Sequence, residues 1–358
     1  MCDNTTEIPD LSLGPEIPGT NPLPLFDTAL AGVRQYHAVT TALDLGLFEL
    51  LLTPMTSCDC AKRLGCRENL MSLLCESLVS TGLLEKKGEL FCTSAPARSY
   101  LVRDSPFCQQ HALSFQRRLA GLWADLPVIL KDGPVTYDRA QMFRDVIIPS
   151  MAESCRCGVL QNVTGQVAAL PEFPAAKRLL DLGGGHGLYA IAFCQKNPDL
   201  EATVFDLPPV TDATCSFISR YHASRVHVLP GDFFCDPIGS GYDIIFSSSN
   251  PGGKVPSLIP KIADALNLGG LFINKQAVDE ETADPWLSLE WNLWAFAGVE
   301  KQAKRYVFAN SVPLAEYNRQ LAEHGLIVCD IVPVDAQSAM TIARKVSGTK
   351  MREQDRAS

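Results

Sequence analysis

The sequence predicts an α/β chain: a mainly α N-terminal domain followed by a doubly wound, mainly parallel sheet. Three observations carry this expectation. Residues 25–101 are apolar at helical spacing and close on a short two-strand pattern. Residues 176–346 alternate short apolar strands with helical stretches. A cluster of glycines follows directly on the first of those strands. With 358 residues, 46% apolar and 20% charged, the chain has enough material for two compact units and is excluded from the disordered class.

Taken in order, residues 1–24 are rich in proline and polar side chains and read as an extended arm. Thr41 to Leu52 has apolar residues at i, i+3, i+4 spacing. Cys58 to Leu64 reads as a short helix closed by Gly65, and Glu68 to Thr81 as another closed by Gly82. Leu83 to Phe91 reads as two strands around Lys87-Gly88. Three helices and a small hairpin form a winged-helix pattern over residues 25–104. In a DNA-binding version, the helix from Glu68 would carry basic side chains. Arg67 precedes it, and no further base occurs before Lys86. Its face of Leu70, Leu73, Leu74 and Leu78 suits packing, so a dimerisation or scaffold role is expected.

Residues 105–170 read as a helical linker that contributes to a pocket, with Trp123, Phe143 and Met151 as pocket or core candidates. Residues 171–347 then supply strands at 176–182, 202–206, 226–229, 242–246 and 271–274, with a hairpin from 327–332 and 339–346. This is a Rossmann-like arrangement, in which ligands bind at the carboxyl ends of the strands. Residues 348–358 form a polar tail.

The net charge of -9 repels phosphate backbones and argues against nucleic acid as a partner. No apolar run reaches the roughly 18–20 residues that span a bilayer. Met1 to Thr20 lacks the basic start and apolar stretch of a secretory signal, so a cytoplasmic location without membrane attachment is expected. The thirteen cysteines include no CxxC pair. They read as mostly buried thiols in a reducing compartment. Cys58, Cys60 and Cys66, and Cys155 with Cys157, lack zinc-site spacing, so no metal is expected.

The chemistry lies in Asp181-Leu-Gly183-Gly-Gly185-His-Gly187. A dinucleotide fingerprint needs G-x-G-x-x-G, and the sixth position counted from Gly183 is Leu188. The spacing G-x-G-x-G behind an acid suits a nucleotide without a pyrophosphate. Asp206 ends the second strand, where a carboxylate can accept both ribose hydroxyls. Asp232 follows the third strand and can accept from an adenine amino group while Phe233 covers the ring. Three strand-end acids in this order point to S-adenosylmethionine (SAM).

The segments LLDLGGGHG, VFDLPPV, GDFF and ALNLGG resemble the SAM-dependent O-methyltransferases of the hydroxyindole and caffeate type. ALDLGLF through LVSTGLLEKKG is similar to that family's winged-helix dimerisation domain. The resemblance implies a homodimer, SAM as methyl donor and a small-molecule acceptor. It implies donor contacts from Gly183, Asp206, Asp232 and Phe233. Asp181, Gly185, Leu207 and Ser247 complete the expected donor-binding set. On the acceptor side, Glu290 and Glu300 match acids of the family's pocket and, with Asn250, are the catalytic candidates. Met151, Trp291 and Trp294 are the acceptor-binding candidates.

The family's general base is the His of a His-Asp-Trp segment after the fourth strand. Here that strand runs into Ser247-Ser-Ser-Asn250-Pro251-Gly252-Gly253-Lys254, with no histidine. Of the six histidines, His186 belongs to the glycine turn. His37, His111, His222, His227 and His324 read as core, surface or helix-end residues. The sulfonium already activates the methyl group, so alignment can supply about 7–11 kcal/mol while a base adds about 3–5 kcal/mol. Two versions follow: methylation of sulfur, carbon or an already ionised oxygen by alignment alone, or oxygen methylation with a displaced base. A SAM-binding protein that no longer methylates is the alternative. Two further groups stay open. Trp286, Trp291, Trp294 and Phe296, beside Glu290, form either a packed helical face or an aromatic pocket wall. Lys301, Lys304 and Arg305 either neutralise an acidic acceptor or form a solvated basic patch.

Overall fold

The computed structural model describes residues 23–278, 284–303 and 307–346. The chain divides into two compact units between Val102 and Arg103. Lys304, Arg305 and most of the expected arm and tail lie outside the described residues.

In the first unit, helix α1 spans Leu23–Asp44 and begins inside the expected arm. The helical pattern to Leu52 is broken at Gly46, whose φ of 67° is left-handed, and resumes as α2, Leu47–Leu50. Strand β1, Met55–Thr56, leads into α3, Ser57–Leu64. The Thr56 hydroxyl caps α3 by accepting the Asp59 amide at 3.1 Å. Then come α4 (Glu68–Ser80), β2 (Leu84–Lys87), β3 (Leu90–Thr93) and α5 (Ala95–Tyr100). β3 pairs antiparallel with both β1 and β2. This is the expected winged-helix pattern with one added strand. The buried seam of α4 is Met71, Cys75 and Leu78. Leu70 and Leu73, expected to pack, are 60% and 63% exposed. Leu70 lies one position and Leu73 two positions off the i, i+4, i+7 stripe that faces the unit's core.

The second unit opens with α6 (Gln110–Ala124) and α7 (Leu126–Asp132), followed by β4 (Val135–Tyr137). α8 (Arg139–Met142) passes through a π-helical turn at Phe143–Ile147 into α9 (Ile148–Cys155). α10 spans Val159–Ala168. The sheet then builds as β5 (Arg178–Leu182), α11 (Leu188–Lys196), β6 (Glu201–Asp206), α12 (Pro208–Arg220), β7 (Val226–Pro230) and β8 (Tyr242–Ser248). It continues through α13 (Ile259–Ala265) and β9 (Leu266–Ala277). α14 (Pro285–Asn292) and a short strand β10 (Trp294–Phe296) precede α15 (Leu314–Glu323). The hairpin β11 (Leu326–Pro333) and β12 (Ser338–Lys345) ends the described chain.

The seven-stranded order is β11-β12-β9-β8-β5-β6-β7. β9, β8, β5, β6 and β7 are parallel, and the closing hairpin is antiparallel. The order reverses between β5 and β8, which is where a parallel sheet opens a ligand crevice. Both faces are covered. Leu179, Phe246 and Ile273 belong to one apolar layer, and Leu180, Ile245 and Phe272 to the other. Strand alternation puts Asp181 on the first face with Leu179, and Lys275 on the same face as Ile273. No helix among the described residues is long and apolar enough to cross a membrane.

Candidate functional site

A cavity of about 580 Å³ lies in the second unit at the ends of β5, β6, β8 and β9. Its wall includes Asp181, Gly183, Gly185, Asp206, Leu207, Asp232, Phe233, Asn250, Glu300 and Met151, which the sequence selected. Ser247, Glu290, Trp291 and Trp294, also selected, do not line it.

The floor is the turn from β5 into α11. Gly183, Gly185 and Gly187 have φ of 67°, 54° and 69°, a region that side chains disfavour. This explains the alternate glycine spacing. Gly184 is needed for another reason: a Cβ there would stand 2.5 Å from the Asp181 carboxyl carbon. The Asp206 carboxylate ties the turn to β6. Its Oδ2 accepts the Gly185 amide at 2.8 Å, and its Oδ1 accepts the Leu207 amide at 2.7 Å. Burial pushes Asp206 above the ordinary carboxylate range.

Asp181 is 1% exposed, and its carboxylate oxygens make no well-formed hydrogen bond among the described residues; the Ala190 backbone amide is the one donor that acts on it. Burial, and then the neighbouring Asp206 charge, push it up to about 7. A buried acid this short of donors is costly. It is a standing demand for a cationic or donor group from the cavity.

Asp232 follows β7. Its Oδ1 accepts the Phe234 amide at 2.9 Å, and its Oδ2 lies 4.0 Å from Arg139. The Phe233 ring lies where a Cβ on Gly252 would meet it at 2.7 Å, so the loop after β8 packs on that ring. In that loop Ser249 has a φ of 51°. Asn250 Nδ2 donates to the Leu182 carbonyl at 2.6 Å and to Ser247 Oγ at 2.9 Å, and its Oδ1 accepts the Gly252 amide at 2.9 Å. Both donors of Asn250 are spent, one fastening the loop to β5 and the other to β8. Ser247 acts behind the wall as one of their acceptors.

His186 is buried in the wall. Its Nδ1 accepts the Leu188 amide at 3.0 Å, and its Nε2 lies 3.7 Å from Cys155 Sγ. Burial holds its ring down to about 4, so it is neutral near pH 7. The Cys155 thiol is pushed up to about 12 by burial. His111 pairs instead with Glu153 at 2.7 Å, and no histidine other than His186 lines the cavity.

The aromatic segment differs from both expectations. α14 ends at Asn292, so Trp294 is in a strand, and β10 pairs in parallel with β4. Trp291 and Trp294 are buried with Phe296, Leu119 and Met142 in a separate core. Large rings next to a strand edge gain more from this apolar layer than from the cavity. Glu290 accepts from Trp123 Nε1 at 2.8 Å and serves that core. Lys301 is no solvated patch. Its Nζ donates to the Trp291 and Trp294 carbonyls, both at 2.6 Å, and stands 3.3 Å from the Trp294 ring centre. Glu300, the next residue, is exposed at the cavity wall.

The cysteines also depart from expectation. Of the twelve described, Cys60, Cys75, Cys108 and Cys194 are buried, and Cys157, Cys215, Cys235 and Cys329 are exposed. No cluster of metal-ligating side chains occurs among the described residues.

The sequence analysis missed Lys275, a buried wall residue at the end of β9. The signal was available: a lysine inside the apolar strand run Leu271-Phe-Ile-Asn-Lys275.

A parallel sheet with this crevice and an acid-flanked glycine turn defines a Rossmann-like, ligand-binding α/β fold. Comparison gives the family. An O-methyltransferase domain matches residues 140–306, and an O-methyltransferase dimerisation domain matches residues 29–104. An uncharacterized protein of Methanocaldococcus jannaschii is 37% identical over 87% of this chain and 86% of its own. The 3-hydroxy-5-methyl-1-naphthoate 3-O-methyltransferase of Streptomyces sahachiroi is 28% identical over 75% of this chain and 82% of its own. The structure of human N-acetylserotonin methyltransferase in complex with SAM superposes with a TM-score of 0.70 at 19% identity, covering 94% of this chain and 100% of that one. The chain belongs to the O-methyltransferase family that carries an N-terminal dimerisation domain.

Proposed function

We propose that this protein transfers a methyl group from SAM to a small-molecule acceptor, as a homodimer and without a histidine base. The observation that carries the reading is the Asp181 carboxylate, buried beside the glycine turn with no well-formed hydrogen bond and no cationic partner among the described residues. An amino-acid ammonium would supply the missing donors and charge. Asp206 keeps a second lone pair on each oxygen for two ribose hydroxyls. Asp232 would accept from the adenine amino group, with Phe233 against the ring and Leu207 beside it. Gly183 and Gly185 leave room for close backbone approach.

SAM supplies an electrophilic methyl group; the remaining work is alignment. Met151 and Phe143 give the acceptor an apolar wall, and Glu300 a polar edge. Asn250 holds the loop that faces the methyl position. With His186 neutral and its Nδ1 engaged, the one histidine of the cavity wall is not poised as a base. An ionised oxygen, a sulfur or an activated carbon meets that condition, and the family's oxygen chemistry favours the first.

Calorimetry with SAM, followed by a search for acceptor-dependent release of S-adenosylhomocysteine, tests this. Binding and release are expected. Binding with no release on a broad panel of phenols, thiols and carbon acids would support a non-methylating SAM protein instead. A rate limb against pH that vanishes with one Glu or His substitution would contradict the base-free mechanism.

A further inference from the structure

Lys275 is a charged side chain in an apolar layer, and nothing above uses it. It follows Ile273 on the sheet face that carries Asp181, two strands away, a lateral distance of about 9–10 Å. It is paired in register with Ser248, at the carboxyl end of β8. It is 8% exposed and lines the cavity. Its one hydrogen bond among the described residues is from Nζ to Ser249 Oγ at 3.2 Å. An ammonium has three donors, so two remain uncommitted in the wall.

The groups around it offer little countercharge. From α9, Cys155 is held as a neutral thiol. From α11, burial raises Tyr189 above its ordinary value, so its hydroxyl is neutral too. His186, in the turn before α11, is neutral. From the β11–β12 turn, Asp335 is the one acid that acts on Lys275, and it forms no ion pair with it within 4 Å. Its Oδ1 accepts the Gln337 amide at 2.9 Å. Arg139 is turned to Asp232, and Glu300 is at the exposed edge. Desolvation lowers Lys275 from the ordinary lysine value, with Asp335 opposing it. A buried ammonium without a paired carboxylate is expensive unless something compensates it. Among the described residues only Asp335 opposes the cost, without an ion pair, and a ligand in the cavity can supply the rest.

We propose that Lys275 is a catalytic residue of the acceptor pocket: its ammonium binds the reacting oxygen of an aromatic hydroxy compound as the phenolate. This rests on the methyl-transfer reading. The phenol loses its proton to solvent on binding, and the lysine stays protonated. The phenolate oxygen then forms the O–CH₃ bond as the S–CH₃ bond breaks. The sulfur keeps the electron pair and becomes a neutral thioether. The base is replaced by a fixed charge that selects the ionised acceptor. An opposite charge at this range raises an acid's dissociation constant on the order of ten- to thousand-fold.

The test uses the full-length protein saturated with S-adenosylhomocysteine and 4-nitrophenol as probe, whose phenolate is yellow. Absorbance against pH gives the ionisation of the bound probe. The wild type is expected to raise its dissociation constant at least tenfold over free solution. Lys275→Met and Lys275→Gln should abolish that effect and keep S-adenosylhomocysteine affinity within about twofold. Methionine fills the lysine's slot without charge, so folding survives. An unshifted or unbound probe in the wild type overturns the inference, as does a full effect in the Gln variant. S-adenosylhomocysteine binding with no probe effect defeats this inference alone. No S-adenosylhomocysteine binding by the wild type defeats the methyl-transfer reading with it.

Discussion

The Gly185 amide donates to Asp206 Oδ2 at 2.8 Å. One carboxylate at the tip of β6 thereby fixes the conformation of a turn that belongs to β5. The same group is placed to receive a ribose, so the shape of the donor site and its affinity share an anchor. Asp206 is the last residue of β6 and Gly185 lies three residues beyond β5, so both are placed by the sheet rather than by a free loop.

Gly184→Ala tests the turn. The new Cβ would overlap the buried Asp181 carboxyl group at 2.5 Å. Overpacking of this kind costs about 1–3 kcal/mol. Thermal melting should show that loss, and calorimetry should show SAM binding weakened at least tenfold.

Asp181 sets a pH dependence. Its raised value, about 7, means that the free protein carries it largely protonated at acid pH. A cationic donor needs the ionised form. SAM affinity should therefore rise about tenfold from about pH 6 to pH 8 and level off above. Asp181→Asn should bind more weakly and lose this slope. Without ligand the sign reverses for stability. The fold binds more protons here than the unfolded chain, so this contribution is present below the ordinary carboxylate range and is lost as pH rises through about 7. Wild-type melting compared with Asp181→Asn across that window measures it.

Lys301 clamps the aromatic core through two carbonyls and two indole faces. Lys301→Met leaves both carbonyls without that donor and should cost about 1–3 kcal/mol in denaturant unfolding. SAM affinity should stay unchanged, because the clamp contacts no residue of the donor site.

Leu70 and Leu73 on α4, with Leu23, Leu25, Phe26, Leu30 and Val33 on α1, are exposed apolar side chains in the unit matched by the dimerisation domain. If they form the homodimer contact, Leu70→Glu with Leu73→Glu should convert dimer to monomer in light scattering. The unit's buried seam of Met71, Cys75 and Leu78 is untouched, so its melting should be preserved.

The strands β5 and β6 were legible because each is short and apolar and runs into a glycine or ends in an acid. The alternation of Gly183, Gly185 and Gly187 was readable for the same reason, since backbone geometry there is local. Trp294 was misplaced because its spacing from Trp291 fits a helix. Its strand depends on β4, far away in the chain. Leu70 and Leu73 looked like core because apolar periodicity does not say whether a face is covered by its own unit. Lys275 was signalled only by its place in an apolar run, because its burial depends on β8 and β12 closing around β9. Asn250 was found, but its engagement with Leu182 required the fold.

The central claim is that Asp206 and its neighbours hold an adenosyl donor. Calorimetric titration of the wild type and Asp206→Ala with SAM tests it most directly. Charge-assisted hydrogen bonds are worth about 1.5–3 kcal/mol, so the alanine variant should bind at least tenfold more weakly than a wild type that binds readily. A wild type silent at millimolar SAM, or an alanine variant that binds equally well, would contradict the account.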